Sequence, residues 1–471
     1  MATQTQLAVI GAGPGGYAAA FYAADLGMDV TLIDREPNPG GVCVYRGCIP
    51  SKALLHVAKL VEEAAHARAW GIGFGEPEID VDKLRAFKNN VVGRLTGGTG
   101  QLAKARKIKY LRGSATLTGA TSLDVAKEDG GTEQVTFQNA IVAIGSHPAK
   151  VPGLSLDSPR VMDSTSGLEI ESIPGSLLVV GGGYIGLELG SVYAAIGSKV
   201  TVVEMTPGLL PGADRDLVDV LAKKIDKSFE AVLLSTKVVG MTEQEDGLKV
   251  TFESAEGERR DQVFDKVLVS VGRKPNAMPG IDKTKVEVDQ RGFIKVNGRR
   301  QTAEPTIYAI GDIAGDPMLA HKASHEGRCA VEAIHGEDVV FEPAAIPAVV
   351  FTDPELAWAG LTETEAKRDG RKVEIVKFPW AAAGRALTLD RTDGLTKLII
   401  EPGTGRILGV GIVGPGAGEL IAEGTLAIEM GAVATDLKLT IHAHPTLSET
   451  LMESAEMFFG TATHVYRPKR R

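Results

Sequence analysis

The stretch Leu7-Ala8-Val9-Ile10-Gly11-Ala12-Gly13-Pro14-Gly15-Gly16 decides the fold of this 471-residue chain. Its apolar half predicts a buried strand, and the run that follows to Leu26 predicts a helix. A second apolar run, Val30 to Ile33, ends at Asp34. Strand, glycine turn, helix, strand and acid in this order predict a βαβ unit that binds a dinucleotide. The glycines let the backbone approach a pyrophosphate at the helix N-terminus, and Asp34 accepts hydrogen bonds from a ribose hydroxyl.

The same pattern returns in the middle of the chain, which indicates an internal duplication. Leu177 to Val180 predicts a strand, and the turn Gly181-Gly182-Gly183-Tyr184-Ile185-Gly186 predicts the start of a helix. The strand Val200 to Val203 then leads to Glu204. The first glycine precedes the acid by 23 residues in both copies, since 34 − 11 and 204 − 181 are equal. The sequence therefore predicts two bound dinucleotides.

Glu204 favours NAD over NADP as the second dinucleotide. Its carboxylate would repel a 2′-phosphate, and no Arg or Lys follows it among residues 205–208. The alternative is that Glu204 only ends a strand at the protein surface.

Two cysteines, Cys43 and Cys48, lie in a glycine-rich segment with four residues between them. Gly47 and the pair Gly40-Gly41 let the backbone turn, so the two sulfurs can close a small, strained and reversible disulfide. The apolar periodicity from Ala53 onwards predicts a helix that begins near Cys48, and the positive end of its dipole favours a thiolate there. The alternative is a pair of cysteines that never bond.

Two further strand ends bring polar residues to the place where open α/β sheets bind ligands. The strand Val267 to Val271 is followed by Gly272-Arg273, and the strand Thr306 to Ile310 is followed by Gly311-Asp312. Asp312 is either an acceptor for a cofactor hydroxyl or the N-cap of the segment that follows.

The C-terminal region, from about Pro347, has no nucleotide signature and predicts an α+β module with an exposed loop around Ala381 to Arg385. It ends with the run Ile441 to Glu449, in which His444 precedes a proline. Proline biases its neighbour towards extended geometry, and a nearby carboxylate fixes an imidazole tautomer and raises its basicity, so His444 is a candidate base. Two histidines one residue apart could instead bind a metal, but no third ligand is near and we expect none.

The predicted fold class is α/β, with two Rossmann-like dinucleotide-binding domains and an α+β C-terminal domain. Prolines at 148 and 152 mark the first boundary. The expected domains are 1–148 for the first dinucleotide, 149–270 for the second, a central domain at 271–345 that completes the first site, and 346–471.

Composition excludes several classes of function. The formal charge of −9 argues against nucleic acid and anionic membrane as partners, and the basic tail at 467–471 is expected to be a solvated terminus. No run of about eighteen apolar residues and no cationic leader occurs, so we expect a soluble, cytoplasmic protein. Three cysteines are too few for a secreted scaffold. A Cys43–Cys48 bond would therefore be catalytic, and Cys329 is expected to be buried.

Together these motifs resemble the flavin-dependent pyridine nucleotide-disulfide oxidoreductases over essentially the whole chain. The most specific matches are Gly-Cys-Ile-Pro-Ser-Lys at 47–52, Gly-Tyr-Ile-Gly-Leu-Glu at 183–188, Val-Gly-Arg-Lys-Pro-Asn at 271–276, Leu-Ala-His-Lys-Ala at 319–323 and His-Pro-Thr-Leu-Ser-Glu at 444–449. Two departures stand out. Asp34 occupies a position where the family commonly has Glu, and Val44-Tyr45-Arg46 replaces the more usual Leu-Asn-Val.

The resemblance implies FAD at the first glycine turn and NAD at the second. It places Lys52 near the flavin N5 and pairs it with Glu188. The other residues that it implies for FAD are Gly11, Gly13, Gly16, Asp34, Gly113, Gly145, Asp312 and Ala320. Those that it implies for NAD are Gly181, Gly183, Gly186, Glu204, Val238, Gly272 and Arg273.

The resemblance also implies a route for electrons, from a dithiol to the Cys43–Cys48 disulfide, then to FAD and then to NAD. Cys43 is expected to exchange with the substrate and Cys48 to be the thiolate held against the flavin. His444 is expected to take the dithiol proton while Glu449 orients it. Because His444 would serve the disulfide of the other subunit, the resemblance implies a homodimer formed through the C-terminal domain.

The implied substrate is dihydrolipoamide on a carrier protein of a 2-oxoacid dehydrogenase or glycine cleavage complex. One alternative is a related FAD-dependent reductase that uses NADH and another disulfide or a quinone. Another is a flavoprotein subunit of structural or regulatory function whose thiols are silent.

Overall fold

The computed structural model describes residues 3–151, 153–154 and 156–466. Pro152 and the basic tail at 467–471 therefore lie outside the described residues. The first part of the chain is an α/β unit. Its elements are β1 (Thr3–Ile10), α1 (Pro14–Asp25), β2 (Val30–Asp34), α2 (Gly41–Arg46), α3 (Cys48–His66), α4 (Val81–Ala105), β3 (Lys109–Gly119), β4 (Ser122–Lys127), β5 (Thr132–Val142) and β6 (Ser146–Pro148).

The sheet of this unit has parallel strands in the order β3-β2-β1-β5, and β4 joins β3 to β5 as an antiparallel meander. Leu7 and Val9 of β1 pack into one hydrophobic core, whereas Ala8 and Ile10 pack into another on the opposite face. Both faces of β1 are thus buried, which explains why its sequence is a continuous apolar run rather than an alternating one.

A second α/β unit follows and repeats this plan. Its parallel sheet has the order β10-β9-β8-β14-β7, and β11-β12-β13 form an antiparallel sheet beside it. The elements are β7 (Val161–Met162), β8 (Ser176–Val180), α5 (Tyr184–Ala195), β9 (Lys199–Val203), α6 (Arg215–Ser228), β10 (Ala231–Leu233), β11 (Thr236–Gln244), β12 (Gly247–Ser254), β13 (Arg259–Phe264) and β14 (Lys266–Val269).

The chain then returns to the first unit through β15 (Arg273–Pro275), β16 (Ile307–Ala309) and α7 (Ala320–His335). β15 pairs with β6, β16 extends the first sheet beside β5, and α7 packs on α1. The two helices touch at Gly15 and Gly327, where a Cβ on Gly327 would lie 2.8 Å from the carbonyl oxygen of Gly15. Cys329 on α7 is buried, as predicted.

The C-terminal part is an antiparallel sheet in the order β17-β18-β21-β20-β19 with helices packed on it. Its elements are β17 (Ala348–Val350), β18 (Glu355–Gly360), α8 (Glu363–Arg368), β19 (Glu374–Pro379), α9 (Gly384–Thr388), β20 (Leu395–Ile400), β21 (Ile407–Gly414), α10 (Ala417–Glu429), α11 (Ala434–Leu439) and α12 (Glu449–Phe459). No helix within the described ranges is long and apolar enough to cross a membrane.

The segment Ala381 to Arg385, predicted to be an exposed loop, is exposed at Ala381, Gly384 and Arg385, but it is helical rather than a loop. A short 3-10 helix at Trp380–Ala382 runs almost directly into α9, and Ala383 and Ala386 are buried. Trp380 is fully buried and its indole N–H donates to the Thr396 hydroxyl at 2.9 Å. Because the large Trp380 side chain is buried in the core, the small residues Ala383 and Ala386 that follow it pack against the domain.

Candidate active site

A cavity of about 750 Å³ reaches from the first glycine turn to the two cysteines. Its walls come from the carboxyl ends of β1, β2 and β5, from the start of α1 and α3, and from α5 and α7. More than half of the predicted site residues line it. They are Gly11, Gly13, Asp34, Cys43, Cys48, Lys52, Gly113, Gly145, Glu188, Arg273, Asp312 and Ala320.

The glycines of the first turn are required by close backbone contacts. A Cβ on Gly11 would overlap the carbonyl of Ala143, and one on Gly16 would overlap the carbonyl of Gly11. Gly41 has a φ of 56°, and its Cβ would lie 2.5 Å from the Cα of Gly13. The N-termini of α1 and α2 therefore meet at one glycine-lined surface, which fits the diphosphate of a dinucleotide.

The two predicted ribose acids have the same backbone partner in each copy. Asp34 accepts a hydrogen bond from the Ala12 N–H at 2.6 Å, and Glu204 accepts one from the Gly182 N–H at 2.7 Å. In both cases the donor is the residue after the first glycine. Burial raises the pKa of Asp34, while the Ala12 N–H opposes this rise. Glu204 is buried, so the alternative of a strand end at the surface was wrong.

The second glycine turn is built like the first, but its glycines are not among the residues that line this cavity. Gly181 has a φ of 109°, with its Cβ position 2.6 Å from the carbonyl oxygen of Ser270, and a Cβ on Gly186 would overlap the Gly181 carbonyl. Nothing obstructs the space beside Gly183. Val238 lies on β11 and packs partly into a hydrophobic core.

Gly272 and Arg273 connect the second unit to the first. Gly272 has a φ of 111°, and its carbonyl accepts from the Ala149 N–H at 3.0 Å. Arg273 donates to the hydroxyl and the carbonyl of Ser146, both at 2.7 Å. Its side chain therefore lines the first cavity, and its charge acts on Tyr184 of the second glycine turn.

Asp312 faces the cavity and does not cap a helix. Its carboxylate accepts from the Ser146 hydroxyl, and the next α-helix, α7, begins after an uncapped Leu319. The neighbouring Gly311 N–H donates at 2.6 Å to Glu326, a fully buried carboxylate on α7. The alternative of an N-cap was therefore wrong. The loop at Gly311 and Asp312 is held by a hydrogen bond to Glu326, which sequence reasoning missed.

Lys52 and Glu188 form an ion pair at 2.7 Å, although 136 residues separate them. Glu188 is buried, and its second oxygen accepts from the Phe351 N–H at 3.0 Å. The Lys52 ammonium lies 4.6 Å from the centre of the Phe351 ring. Residues of all three parts of the chain thus fix the position of this cation beside the cysteines.

Cys48 is the first residue of α3, as predicted, and Cys43 lies in α2. Both thiols are free, and Cys48 is exposed towards the cavity. A hydrogen bond from Cys43 and the positive charge of Lys52 lower the pKa of Cys48 to about 7, against the opposing effect of burial. The same hydrogen bond, with burial, raises the pKa of Cys43. A thiolate at neutral pH therefore resides on Cys48.

His444 and Glu449 pair with each other but do not line this cavity. The His444 Nδ1 lies 2.9 Å from Glu449, and the second oxygen of Glu449 accepts from the Thr446 N–H at 2.7 Å. Burial raises the pKa of Glu449, but the Thr446 N–H and His444 outweigh it, so the pKa lies below its ordinary value. The His444 side chain is 71% exposed, and its Nε2 has no hydrogen-bond partner among the residues that the structure describes.

Sequence reasoning also missed Tyr184, Ser146 and Asn276, all of which line the cavity. Asn276 donates to the Ile144 carbonyl at 2.7 Å and contacts His147 at 2.8 Å. Burial raises the pKa of Tyr184 to about 12. Tyr184 is the first residue of α5 and belongs to the second glycine turn, and a charge on Cys48 acts on its pKa. Its position within a turn of mostly glycine residues was the sequence signal that could have identified it.

Comparisons with known proteins agree with this geometry. Residues 5–327 match the family model described as pyridine nucleotide-disulphide oxidoreductase, and residues 346–455 match the dimerisation domain of the same family. A dihydrolipoyl dehydrogenase from Vibrio cholerae is 49% identical over 99% of this chain and 98% of its own length. One from Thermus scotoductus is 47% identical over 98% of each chain.

Solved structures show the same fold over the whole chain. LpdA from Mycobacterium tuberculosis has a TM-score of 0.89 at 25% identity and covers 96% of this chain and 99% of its own. The HOCl-induced flavoprotein disulfide reductase RclA from Escherichia coli has a TM-score of 0.85 at 28% identity, with the same coverage. Two glycine turns, a cysteine pair and full-length relatives together lead to one conclusion: the chain belongs to the pyridine nucleotide-disulphide oxidoreductases.

Proposed function

We propose that this protein oxidises protein-bound dihydrolipoamide to lipoamide and reduces NAD⁺ to NADH, the activity named for the Vibrio cholerae and Thermus scotoductus relatives. The observation that carries the proposal is the Cys48 thiol at the start of α3, with Cys43 as its hydrogen-bond donor and the Lys52–Glu188 ion pair beside it. FAD and NAD are the cofactors. When bound, FAD supplies the two-electron relay between the sulfur pair and NAD.

Each sulfur has a separate task in this reaction. In the oxidised enzyme, a substrate thiolate attacks the Cys43 sulfur, the Cys43–Cys48 bond breaks, and Cys48 leaves as a thiolate. The second substrate thiol then attacks the sulfur bound to Cys43, which releases lipoamide and leaves the enzyme as a dithiol. The lowered pKa of Cys48 makes it the better leaving group, and Lys52 holds a compensating charge beside it.

His444 accepts the proton of the substrate thiol, and Glu449 fixes the imidazole through Nδ1, which leaves Nε2 as the base. Because His444 is exposed and outside the cavity of its own chain, we place it over the cysteines of a partner subunit. The match of residues 346–455 to a dimerisation domain supports this homodimer. The carrier is a lipoyl-bearing protein of a 2-oxoacid dehydrogenase or glycine cleavage complex.

The domain division of 1–148, 149–270, 271–345 and 346–471 is part of this proposal. The return of β16 to the first sheet and the Arg273–Ser146 contacts support a central segment that completes the FAD site. Glu204 and the absence of a following cation support NAD at the second turn. A cytoplasmic location stays a prediction.

The test is the Cys48→Ser variant, assayed for NAD⁺ reduction by dihydrolipoamide. We expect a complete loss of turnover, with FAD still bound, because the serine cannot form the disulfide. The buried Cys329 serves as the control, since Cys329→Ser should keep normal turnover. Wild-type turnover in Cys48→Ser, or a wild-type enzyme that uses glutathione disulfide but not lipoamide, would contradict the proposal.

A further inference from the structure

Tyr45 and Arg46 lie between the two cysteines, where the sequence differs from the usual family pattern. Neither side chain has a role in the proposed mechanism. Both side chains contact the segment between β2 and α2, at residues 36 and 38. The Tyr45 hydroxyl accepts from the Asn38 N–H at 3.2 Å and donates to the Asn38 carbonyl at 3.1 Å. The Arg46 guanidinium forms an ion pair with Glu36. The redox helix α2 is therefore fastened to the connecting segment at two points.

The ion pair lies on the wall of the cofactor cavity. Both Arg46 and Glu36 line the cavity, and their side chains are 37% and 22% exposed. Arg46 is the last residue of α2, where the negative end of the helix dipole favours a cation. Its charge also acts on Asp34, because it contributes to lowering the pKa of that carboxyl against the dominant effect of burial.

The segment 35–40 contributes Arg35 and Glu36 to the wall of this cavity, next to Asp34. The segment starts directly after the ribose acid Asp34 and ends at the N-terminus of α2. It is tied to the body of the domain by the Gly40 N–H, which donates to the Ala12 carbonyl at 2.8 Å, and by the Tyr110 hydroxyl, which donates to the Glu36 carbonyl at 2.8 Å. The ion pair of Arg46 with Glu36 holds the segment on the side that lines the cavity.

The other cations of the cavity wall have different partners. Lys52 is held by Glu188, and Arg273 donates to Ser146. Arg35 also lines the cavity, and its charge acts on Asp34. The Arg46–Glu36 pair joins α2 to the 35–40 segment, whereas Lys52 lies near the cysteines and Arg273 contacts β6.

We propose that the Arg46–Glu36 ion pair is a latch that retains the adenosine half of FAD by holding the 35–40 segment against α2. Arg46 and Glu36 are positioning residues, and they do not take part in the thiol chemistry. The inference goes beyond the proposed function, since it concerns cofactor retention and holds for any disulfide substrate.

The test is the rate of FAD release from the holoenzyme, followed by the rise of flavin fluorescence after dilution into a mild chaotrope. Arg46→Val and Glu36→Gln should each accelerate release about tenfold, the loss expected for one charge-assisted hydrogen bond. The charge exchange Glu36→Arg with Arg46→Glu should restore release to within about threefold of wild type. Salt should accelerate release from wild type but not from Arg46→Val.

The matched control is Lys295→Val, which removes an exposed ion pair with Glu287 that is remote from the cavity lining. It should leave FAD release unchanged. Dihydrolipoamide oxidation by the wild-type enzyme tests the proposed function, whereas the rate of FAD release tests the latch, so a failure of one is distinguished from a failure of the other. The proposal is overturned if release is unchanged in both single variants, if only Arg46→Val accelerates it, or if the charge exchange gives no rescue.

Discussion

Cys48 obtains its reactivity from three neighbours that differ in distance along the chain. The start of α3 supplies a helix dipole, Cys43 supplies a hydrogen bond, and Lys52 supplies a positive charge one helical turn away. The first two follow from local sequence. The third depends on Glu188, since a buried carboxylate from another part of the chain is needed to hold the lysine in place.

The first prediction concerns the thiolate of the reduced enzyme. Alkylation of Cys48 by iodoacetamide should have a pH midpoint near 7, with the thiolate present above this pH and lost as the pH falls through it. Cys43→Ala and Lys52→Met should each move the midpoint upwards towards 9, because a donor or a cation that stabilises the thiolate is removed. Peptide mass spectrometry of Cys48 measures the rate. An unchanged midpoint in both variants would exclude this account of the thiolate.

The second prediction concerns the base. His444→Gln should reduce dihydrolipoamide oxidation by about 10²- to 10⁴-fold, the usual contribution of a positioned base, while electron transfer from NADH to an artificial dye stays normal. The dye reaction bypasses the substrate thiols and serves as an internal control. His335→Gln, at an exposed position on α7, should leave both rates unchanged. Equal losses in the two assays would show that His444 acts on the fold rather than on the thiol.

At the scale of secondary-structure elements, a buried ion cluster joins the second unit to the C-terminal domain. Lys397 on β20 is fully buried and contacts Asp214 at 2.7 Å, Asp216 at 3.0 Å and Glu363 at 2.9 Å. These acids lie at the start of α6 and on α8, so Lys397, together with Lys377, which pairs with Asp216 at 2.6 Å, fixes the contact between two helices and a sheet. Burial raises the pKa of Glu363, but hydrogen bonds from Lys367 and Lys397 outweigh it and lower the pKa to about 2. Burial lowers the pKa of Lys397, but the acids outweigh it and raise the pKa.

The third prediction follows from this cluster. Lys397→Met should lower the free energy of unfolding at pH 7 by about 3–5 kcal/mol, because the buried Asp214 carboxylate loses the cation that it pairs with, although Asp216 and Glu363 keep Lys377 and Lys367. In the wild type, the stability due to Glu363 is complete above pH 4.5 and is lost as the pH falls towards 2. In the variant the carboxylates repel each other, so its deficit should shrink between pH 7 and pH 5.

Urea unfolding of both proteins at the two pH values checks this, and Lys295→Met, at an exposed ion pair, is the control. A deficit that is the same at pH 7 and pH 5 would mean that the loss comes from packing and not from charge.

At the scale of the whole molecule, the C-terminal domain exposes apolar side chains near His444. Leu426 is 61% exposed, Met430 75%, Leu439 72% and Ile441 96%. A group of large apolar side chains with this exposure is typical of an interface between subunits, and Ile441 lies three residues before His444. Dimer formation would therefore cover these side chains and place the base at the same time.

The fourth prediction couples these two effects. Ile441→Asp together with Leu439→Asp should give a monomer that binds FAD but oxidises dihydrolipoamide at the rate of His444→Gln or below. Light scattering after size exclusion measures the mass, and flavin absorbance measures the cofactor. Val340→Asp, at an exposed position beyond α7, should remain dimeric and active. A variant that is monomeric and fully active would refute a base supplied by the partner.

The sequence by itself determined the features that depend on neighbours along the chain. The two glycine turns, the acids Asp34 and Glu204, and the helix that begins at Cys48 all follow from local periodicity and from the backbone freedom of glycine. The carboxylate of Glu449, five positions after His444, also followed from spacing, whereas the pairing of Lys52 with Glu188 came only from resemblance to a family.

Only the tertiary structure decided what depends on residues far apart in sequence. It placed Arg273 at the first cavity and paired Arg46 with Glu36. It also buried Lys397 among three acids and packed Ala386, after Trp380, into the core. The physical reason is that a charged or large side chain settles where its charge is compensated or its surface buried, and those partners are chosen by the packing of sheets and helices that local sequence does not encode.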